Sequence, residues 1–146
     1  MILISHRGNI DGKNTARENH PDYIQESLDE GYNAEIDIWV EEGSPYSGHD
    51  APQYKLTENW LLERADKLWI HCKNFKAMEW FHQRAGFNYF WHQGDDFTLT
   101  SGGFIWTYPG RELSEYSVSV KPEETDENPT DCYGVCSDFV GRFRRE

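Results

Sequence analysis

The sequence predicts an α/β fold, a compact parallel TIM-type (β/α)8-like barrel with several helices reduced to loops. Three observations lead there. Up to eight short apolar runs recur along the chain, and helical patterns separate the early ones. In Ala34–Val40 the residues Glu35, Asp37 and Trp39 alternate with Ile36, Ile38 and Val40. Carboxylates facing inward and aliphatic residues facing outward are expected where a barrel interior holds a polar site. A full eight-fold barrel usually takes about 250 residues, so 146 residues fit eight strands only if helices shrink, chiefly in the second half.

The elements follow in order. Ile2–Ser5 is short and apolar and reads as a buried strand, and the polar stretch Asn9–Asn19, with Gly12 and Asn14, as a loop. Pro21–Glu30 is helical: Asn19 or His20 precedes a proline suited to the first helical position, Tyr23, Ile24 and Leu28 make an apolar stripe, and Gly31 ends it. Ala34–Val40 is a strand, Glu41–Pro45 a turn and Tyr46–His49 a short strand. Thr57 caps a helix reaching Arg64, with Trp60, Leu61 and Leu62 apolar. Lys67–Cys72 is a strand, followed by a helix over Phe75–Ala85 that Gly86 terminates. The last strands are Asn88–His92, Gly103–Thr107, Tyr116–Val120 and Tyr133–Ser137, and the acidic, proline-containing Glu123–Asp131 is a solvated loop. No repeat or linker divides the chain, so one domain is expected over residues 1–146. Strands that lack helices need another cover for their outward faces, from surface aromatics or a second subunit; on that ground a homo-oligomer is expected.

Composition narrows the partners. Six Trp and 15% aromatic residues can fill a small core with few side chains. A net charge of −12 argues against a nucleic-acid backbone or an anionic membrane as main partner. A local pocket with Arg7 and Lys73 still suits one small anion. Three cysteines (Cys72, Cys132, Cys136) do not make a disulfide framework, and reduced thiols are expected, a Cys132–Cys136 pairing being the lesser alternative. The apolar start Met1–Ile4 is too short for a signal peptide or a membrane span, so a cytoplasmic protein without stable membrane insertion is expected.

Four motifs stand where strands give way to loops: Ser5-His6-Arg7-Gly8, Glu35-Ile36-Asp37, Gly48-His49-Asp50 and His71-Cys72-Lys73. Together they suit metal-assisted chemistry on a phosphate ester. Carboxylates at i and i+2 of one strand point the same way, roughly 6–7 Å apart at Cα, and a cation between them can bridge to a phosphoryl oxygen. Two imidazoles can divide the proton transfers. Arg7 offers a planar fork to phosphate and Lys73 a point charge. Plainer roles compete: Glu18 pairs with Arg7, Asp50 only braces His49, His71 is a hydrogen-bonded interior imidazole, and His82 and His92 belong to the surface. Trp residues are core by default, with Trp39 or Trp106 as candidate pocket walls.

These residues also resemble a known family. His6-Arg7-Gly8, Glu18-Asn19, Glu35-x-Asp37 and His49-Asp50 are similar, in order and spacing, to the opening signature of the glycerophosphodiester phosphodiesterases, within the phospholipase C-like phosphodiesterase superfamily. His71-x-Lys73 resembles the family's acidic-x-Lys strand, Ile105-Trp106-Thr107 a late Trp-Thr strand, and Gly134-Val135-Cys136-Ser137-Asp138 the final Gly-x-x-Thr-Asp segment. The resemblance is dense in the first half and thin in the second. It implies a miniature, metal-dependent hydrolase of a small glycerophosphodiester-like molecule, with a place in lipid metabolism. In that family's terms His6 and His49 are the acid–base pair, Arg7 and Lys73 the phosphate contacts, Glu35 and Asp37 ligands of one divalent ion (Mg, Ca or Mn), and Glu18 a supporting acid. The family's third carboxylate ligand falls on His71, which implies either a softer ion or a lost ligand. The alternative is a catalytically inactive barrel that binds phosphate or sugar-phosphate ligands. A purely structural role is weakest, because it leaves the inward polar set unexplained.

Overall fold

In the computed structural model, which describes residues 1–144, the N-terminal apolar run forms β1 (Ile2–His6). Ile4 and His6 face one side of it, and Ser5 faces the other, where its hydroxyl meets Ser27 Oγ at 2.9 Å. Helix α1 (Pro21–Asp29) starts at the proline, and the His20 side chain caps it by accepting from Asp22 N at 3.0 Å. Of the two expected caps, Asn19 is engaged elsewhere. Strand β2 (Asn33–Glu41) carries at its far end a hairpin of β3 (Ser44–Ser47) and β4 (Tyr54–Lys55). Helix α2 (Glu58–Arg64) is capped by Thr57, whose Oγ1 accepts from Trp60 N. Strand β5 (Leu68–Cys72) leads into α3 (Phe75–His82). This helix ends before the expected Ala85, because Arg84 turns back over the Trp80 ring and donates to the Trp80 carbonyl, satisfying a C-terminal acceptor.

Beyond His82 the described residues hold strands and 3-10 turns only: β6 (Asn88–Trp91), β7 (Phe97–Leu99), β8 (Ile105–Thr107), β9 (Ser117–Val120) and β10 (Gly134–Ser137). The mixed sheet has ten strands: the β3–β4 hairpin adds to β2, and the other eight curl in the order β6-β5-β2-β1-β10-β9-β8-β7. Every pair along that order is parallel except β7 with β8. The expected complete parallel barrel is therefore met in part. The sheet curls into a half-barrel, one of these eight strands runs against the others, and among the described residues no ladder joins β6 to β7. Single hydrogen bonds bridge that seam, from Ser101 N to the Tyr89 carbonyl (2.8 Å) and from Thr98 Oγ1 to the Trp91 carbonyl (2.9 Å). The shortage of helices in the second half is as expected.

The curl separates two apolar clusters. Outside it, Ile36, Ile38, Ile70 and Cys72 pack against Ile24, Leu61, Ala77 and Phe81 of the three helices. Inside it, Ile4, Trp69, Phe90, Trp106, Val118 and Cys136 fill the base. Trp69 and Trp106 stack at 5.7 Å, and Phe90 meets Trp106 at 4.7 Å. Strands β9 and β10 are buried at every residue within the single chain, Ser114 and Glu123 bonding Ser117 and Ser137. The open outward faces that suggested an oligomer are thus covered there, while Phe97, Leu99 and Tyr116 stay exposed. Cys72, Cys132 and Cys136 are all free thiols. No helix among the described residues is long and apolar enough to cross a membrane.

Candidate functional site

Strand register assembles the site. The β1–β2 ladder sets His6 beside Glu35, and the β2–β5 ladder sets Asp37 beside His71. All four side chains lie on the inward face, above the aromatic base. Glu35 and Asp37 are 2% and 1% exposed, which confirms the inverted alternation read from the sequence. A cavity of about 660 Å³ opens at this end of the sheet, and His6, Arg7, Glu35, His49, His71 and Lys73 all line it.

His6, the last residue of β1, is held from behind. Its Nδ1 donates to Asp138 Oδ1 at 2.7 Å, which leaves Nε2 facing the cavity, 3.8 Å from Glu35 Oε1. Burial opposes charge on Asp138, but its bonds to His6 and Asn9, with the charges of His6 and Lys121, outweigh burial and hold the carboxyl at about 2. Immediately after His6 the backbone turns sharply, with Arg7 at φ 57° and Gly8 at φ 91°. A β-carbon at Gly8 would sit 2.7 Å from the Tyr23 ring, so the turn requires glycine.

Arg7 is committed to carboxylates on two sides. Its Nε lies 3.2 Å from Asp37 Oδ2 and its NH1 3.2 Å from Glu18 Oε1, while NH2 faces His49 Nε2 at 3.4 Å. Burial opposes the charge, yet Asp37, Glu35 and Glu18 together raise the guanidinium above its ordinary value. The two-oxygen fork expected for phosphate is thereby reduced to the NH2 end. Glu18 takes the pairing role anticipated as its plainer reading. Lys73 lines the cavity and has no ion-pair partner among the described residues.

His49 stands on the loop after β3, 42% exposed at its side chain, with Nδ1 3.6 Å from Asp37 Oδ2 and Nε2 3.6 Å from Asp50 Oδ1. Asp50 is almost fully exposed and makes no other ion pair among the described residues. Trp39 braces this loop by donating from Nε1 to the Gly48 carbonyl at 2.8 Å, rather than walling the cavity. Gly48 has φ 155°, and a β-carbon there would lie 2.1 Å from the Ala51 carbonyl oxygen. Gly48→Ala is expected to lower stability by about 2 kcal/mol or more and to displace His49, read by thermal melting and by the His49 imidazole NMR signals.

The acidities of Glu35 and Asp37 move in opposite directions. Burial and the Asp37 charge push Glu35 well above the usual carboxylate range, Arg7 and Lys73 offsetting part of this. Burial opposes charge on Asp37 too, but the neighbouring imidazoles of His49 and His71 and the charge of Arg7 hold it well below that range. Asp37 Oδ2 also accepts from Asn19 Nδ2 at 2.9 Å. By contrast Glu35 Oε1 and Asp37 Oδ1 are buried and accept no well-directed hydrogen bond. One ligand atom each from Glu35, Asp37 and His71 lie within 4.8 Å of one another. These residues fit a divalent cation on two grounds: orphaned buried carboxylate oxygens, and an O, O, N donor set.

Three further polar residues, none of them a candidate site residue from the sequence, hold the site together. Asn9, fully buried, donates from Nδ2 to Asp138 Oδ1 (2.9 Å) and to Glu18 Oε2 (2.8 Å), while its Oδ1 accepts from Tyr23 OH (2.9 Å) and Asn14 N (3.2 Å). One amide thus ties the partner of His6 to the partner of Arg7. Asn19, in the left-handed region, fixes Asp37 from both its amide oxygen and nitrogen. Asp138 stands just past β10, at the same strand-end level as the other site residues, and that position was its available signal. Glu123, expected in a solvated loop, instead bonds Ser137 Oγ at 2.7 Å and Asp138 N at 3.3 Å, because the chain folds back beneath β10. Trp106 lines the cavity, as do Tyr108 and His92, whose rings stack at 3.7 Å. No protein family, curated protein or solved structure matches this chain.

Proposed function

We propose that this chain is a metal-dependent phosphodiesterase for a small glycerophosphodiester-like molecule, built on a reduced α/β barrel. The observation that carries this reading is the convergence of His6, His49, Arg7, Lys73 and the Glu35–Asp37–His71 cluster on one cavity. The order of the motifs, similar to that of glycerophosphodiester phosphodiesterases, supports the substrate class.

With Nδ1–H committed to Asp138, His6 keeps an Nε2 lone pair toward the cavity. It takes the proton of the attacking hydroxyl, from water or from the substrate itself, as the new P–O bond forms. His49, on the open side, returns a proton to the departing alkoxide as the old P–O bond breaks. The NH2 end of Arg7 and the ammonium of Lys73 hold non-bridging phosphate oxygens and offset their developing charge. Glu35, Asp37 and His71 would hold the cation, which when bound would polarise a phosphoryl oxygen.

The test is turnover of a chromogenic phosphodiester and of glycerophosphodiesters with added Mn, Mg or Ca, for wild type and His6→Ala. Release of the alcohol by wild type alone is the expected result. Equal behaviour of both proteins with every metal overturns the reading. The open setting of His49 favours one rival, a phosphate-binding barrel without catalysis. Calorimetric phosphate binding with no turnover would establish that rival.

A further inference from the structure

The third member of the acidic cluster is an imidazole, and its orientation is fixed by the fold. His71 Nε2 lies 3.1 Å from the His92 carbonyl oxygen, so Nε2 carries the proton and donates it. In the neutral ring this leaves a lone pair on Nδ1, and that atom points at carboxylate oxygens: Asp37 Oδ1 at 3.2 Å and Glu35 Oε2 at 4.0 Å. Asp37 Oδ1 is itself buried and accepts no well-directed hydrogen bond. This close approach needs a positive centre between the two atoms: either a proton on Nδ1, which makes His71 the charged partner of Asp37, or a metal ion that displaces that proton. The same backbone bond that sets the tautomer also fixes the ring plane, as the stacking of His71 on Phe90 at 5.1 Å does. An imidazole whose far nitrogen is held by a carbonyl is the usual support for a metal ligand.

Charge favours one class of ion. Calcium and magnesium sites depend on the number of carboxylate charges and oxygen donors. Here two carboxylates face the site, Arg7 Nε already sits 3.2 Å from Asp37 Oδ2, and Lys73 lines the same cavity. That leaves little net negative charge to hold a hard cation against its hydration shell. A nitrogen donor adds much more for borderline transition ions.

We propose that His71 is a metal ligand through Nδ1 and that this site selects a divalent transition ion (Mn, Fe, Co or Zn) over Mg and Ca. The inference rests on reading Glu35, Asp37 and His71 as a metal site, and is independent of whether a phosphodiester is cleaved there.

The experiment is calorimetric titration of the full chain with Mn, Co, Mg and Ca ions alone, for wild type, His71→Gln and His71→Glu, with melting curves of the metal-free proteins to establish folding. Wild type is expected to bind Co at least about 100-fold more tightly than Mg or Ca. His71→Gln is expected to weaken Co binding about 10–100-fold, and His71→Glu, which adds a carboxylate, to narrow the Co-to-Mg ratio at least about tenfold. Pulsed EPR of the Mn-loaded wild type, with 15N-labelled histidine as control, should read one directly bound imidazole nitrogen. This needs no variant and decides the matter even where a variant does not fold. Equal affinities for Co, Mg and Ca, or a Mn signal without nitrogen coupling, overturn the proposal. Nitrogen-coordinated metal without phosphodiester turnover supports it and defeats the phosphodiesterase reading alone. Turnover with Mg and no bound nitrogen does the reverse.

Discussion

Alanine at His6 is expected to lower kcat/KM for a phosphodiester by about 10²–10⁴-fold, the usual worth of a positioned acid–base group. The more informative partner experiment is Asp138→Asn. Asp138 accepts the Nδ1–H of His6 at 2.7 Å, and with one carboxylate oxygen it fixes which ring nitrogen faces the cavity. An asparagine amide can donate to Nδ1 instead, which would move the ring proton to Nε2 and block its use as a base. The loss should fall on kcat with KM nearly unchanged, because Asp138 is buried behind His6. Stability changes with it, and the sign follows from the carboxyl being held at about 2 against an ordinary 3.8. A depressed carboxyl contributes stability that is fully present above pH 4 or so and fades as pH falls toward 2. Asp138→Asn should therefore lose about 2 kcal/mol at neutral pH and show a flatter acid limb, measured by denaturant melts across pH. An Asp138→Asn variant with wild-type kcat beside an inert His6→Ala would show that Asp138 does not set the tautomer.

What could be read from the sequence was whatever local periodicity encodes. The alternation in β2 put Glu35 and Asp37 inside, and the apolar runs located the parallel strands to within about two residues. Strand ends are where inward side chains meet solvent, so His6, Asp37, His49 and Lys73 could be placed at one mouth before any contact was known. The features that escaped depend on long-range pairing. Strand β7 has three residues after an acidic turn, Asp95-Asp96, and exists only because β8 offers it an antiparallel edge. Asn9 and Asn19 sit in a polar stretch whose composition says loop, and their roles arise from tertiary contacts with Asp138 and Asp37. Glu123 lies in an acidic run whose default is solvation, and only the return of the chain beneath β10 brings it to Asp138. Arg7 lines the cavity as expected, but how many of its nitrogens stay free for an anion is a property of packing, set by Glu18 and Asp37.

Glu35→Gln is expected to make the metal-free protein more stable while removing its response to metal and its turnover. Glu35 is 2% exposed, and its Oε1 lacks a hydrogen-bond donor. The guanidinium of Arg7 is already shared between Asp37 and Glu18. Burial and the Asp37 charge raise the Glu35 pKa far above its ordinary 4.5. The sign is opposite to that of Asp138: the folded state binds the Glu35 proton more tightly than the unfolded chain does, so folding loses stability as pH rises from about 4.5 through the raised value. A neutral amide of the same shape escapes that loss, and the gain should reach about 1–3 kcal/mol at pH 8, shrinking toward zero near pH 4. Saturating metal should raise the wild-type melting temperature and leave that of Glu35→Gln almost unmoved, since the cation offsets a charge that only wild type carries. Lower stability of Glu35→Gln at pH 8 without metal would mean that Arg7 and Lys73 already neutralise the carboxylate. In that case the cluster is a closed salt-bridge network with no need of an ion. A stabilised but inactive variant is instead the pattern of a site that keeps an unfavourable charge for its chemistry.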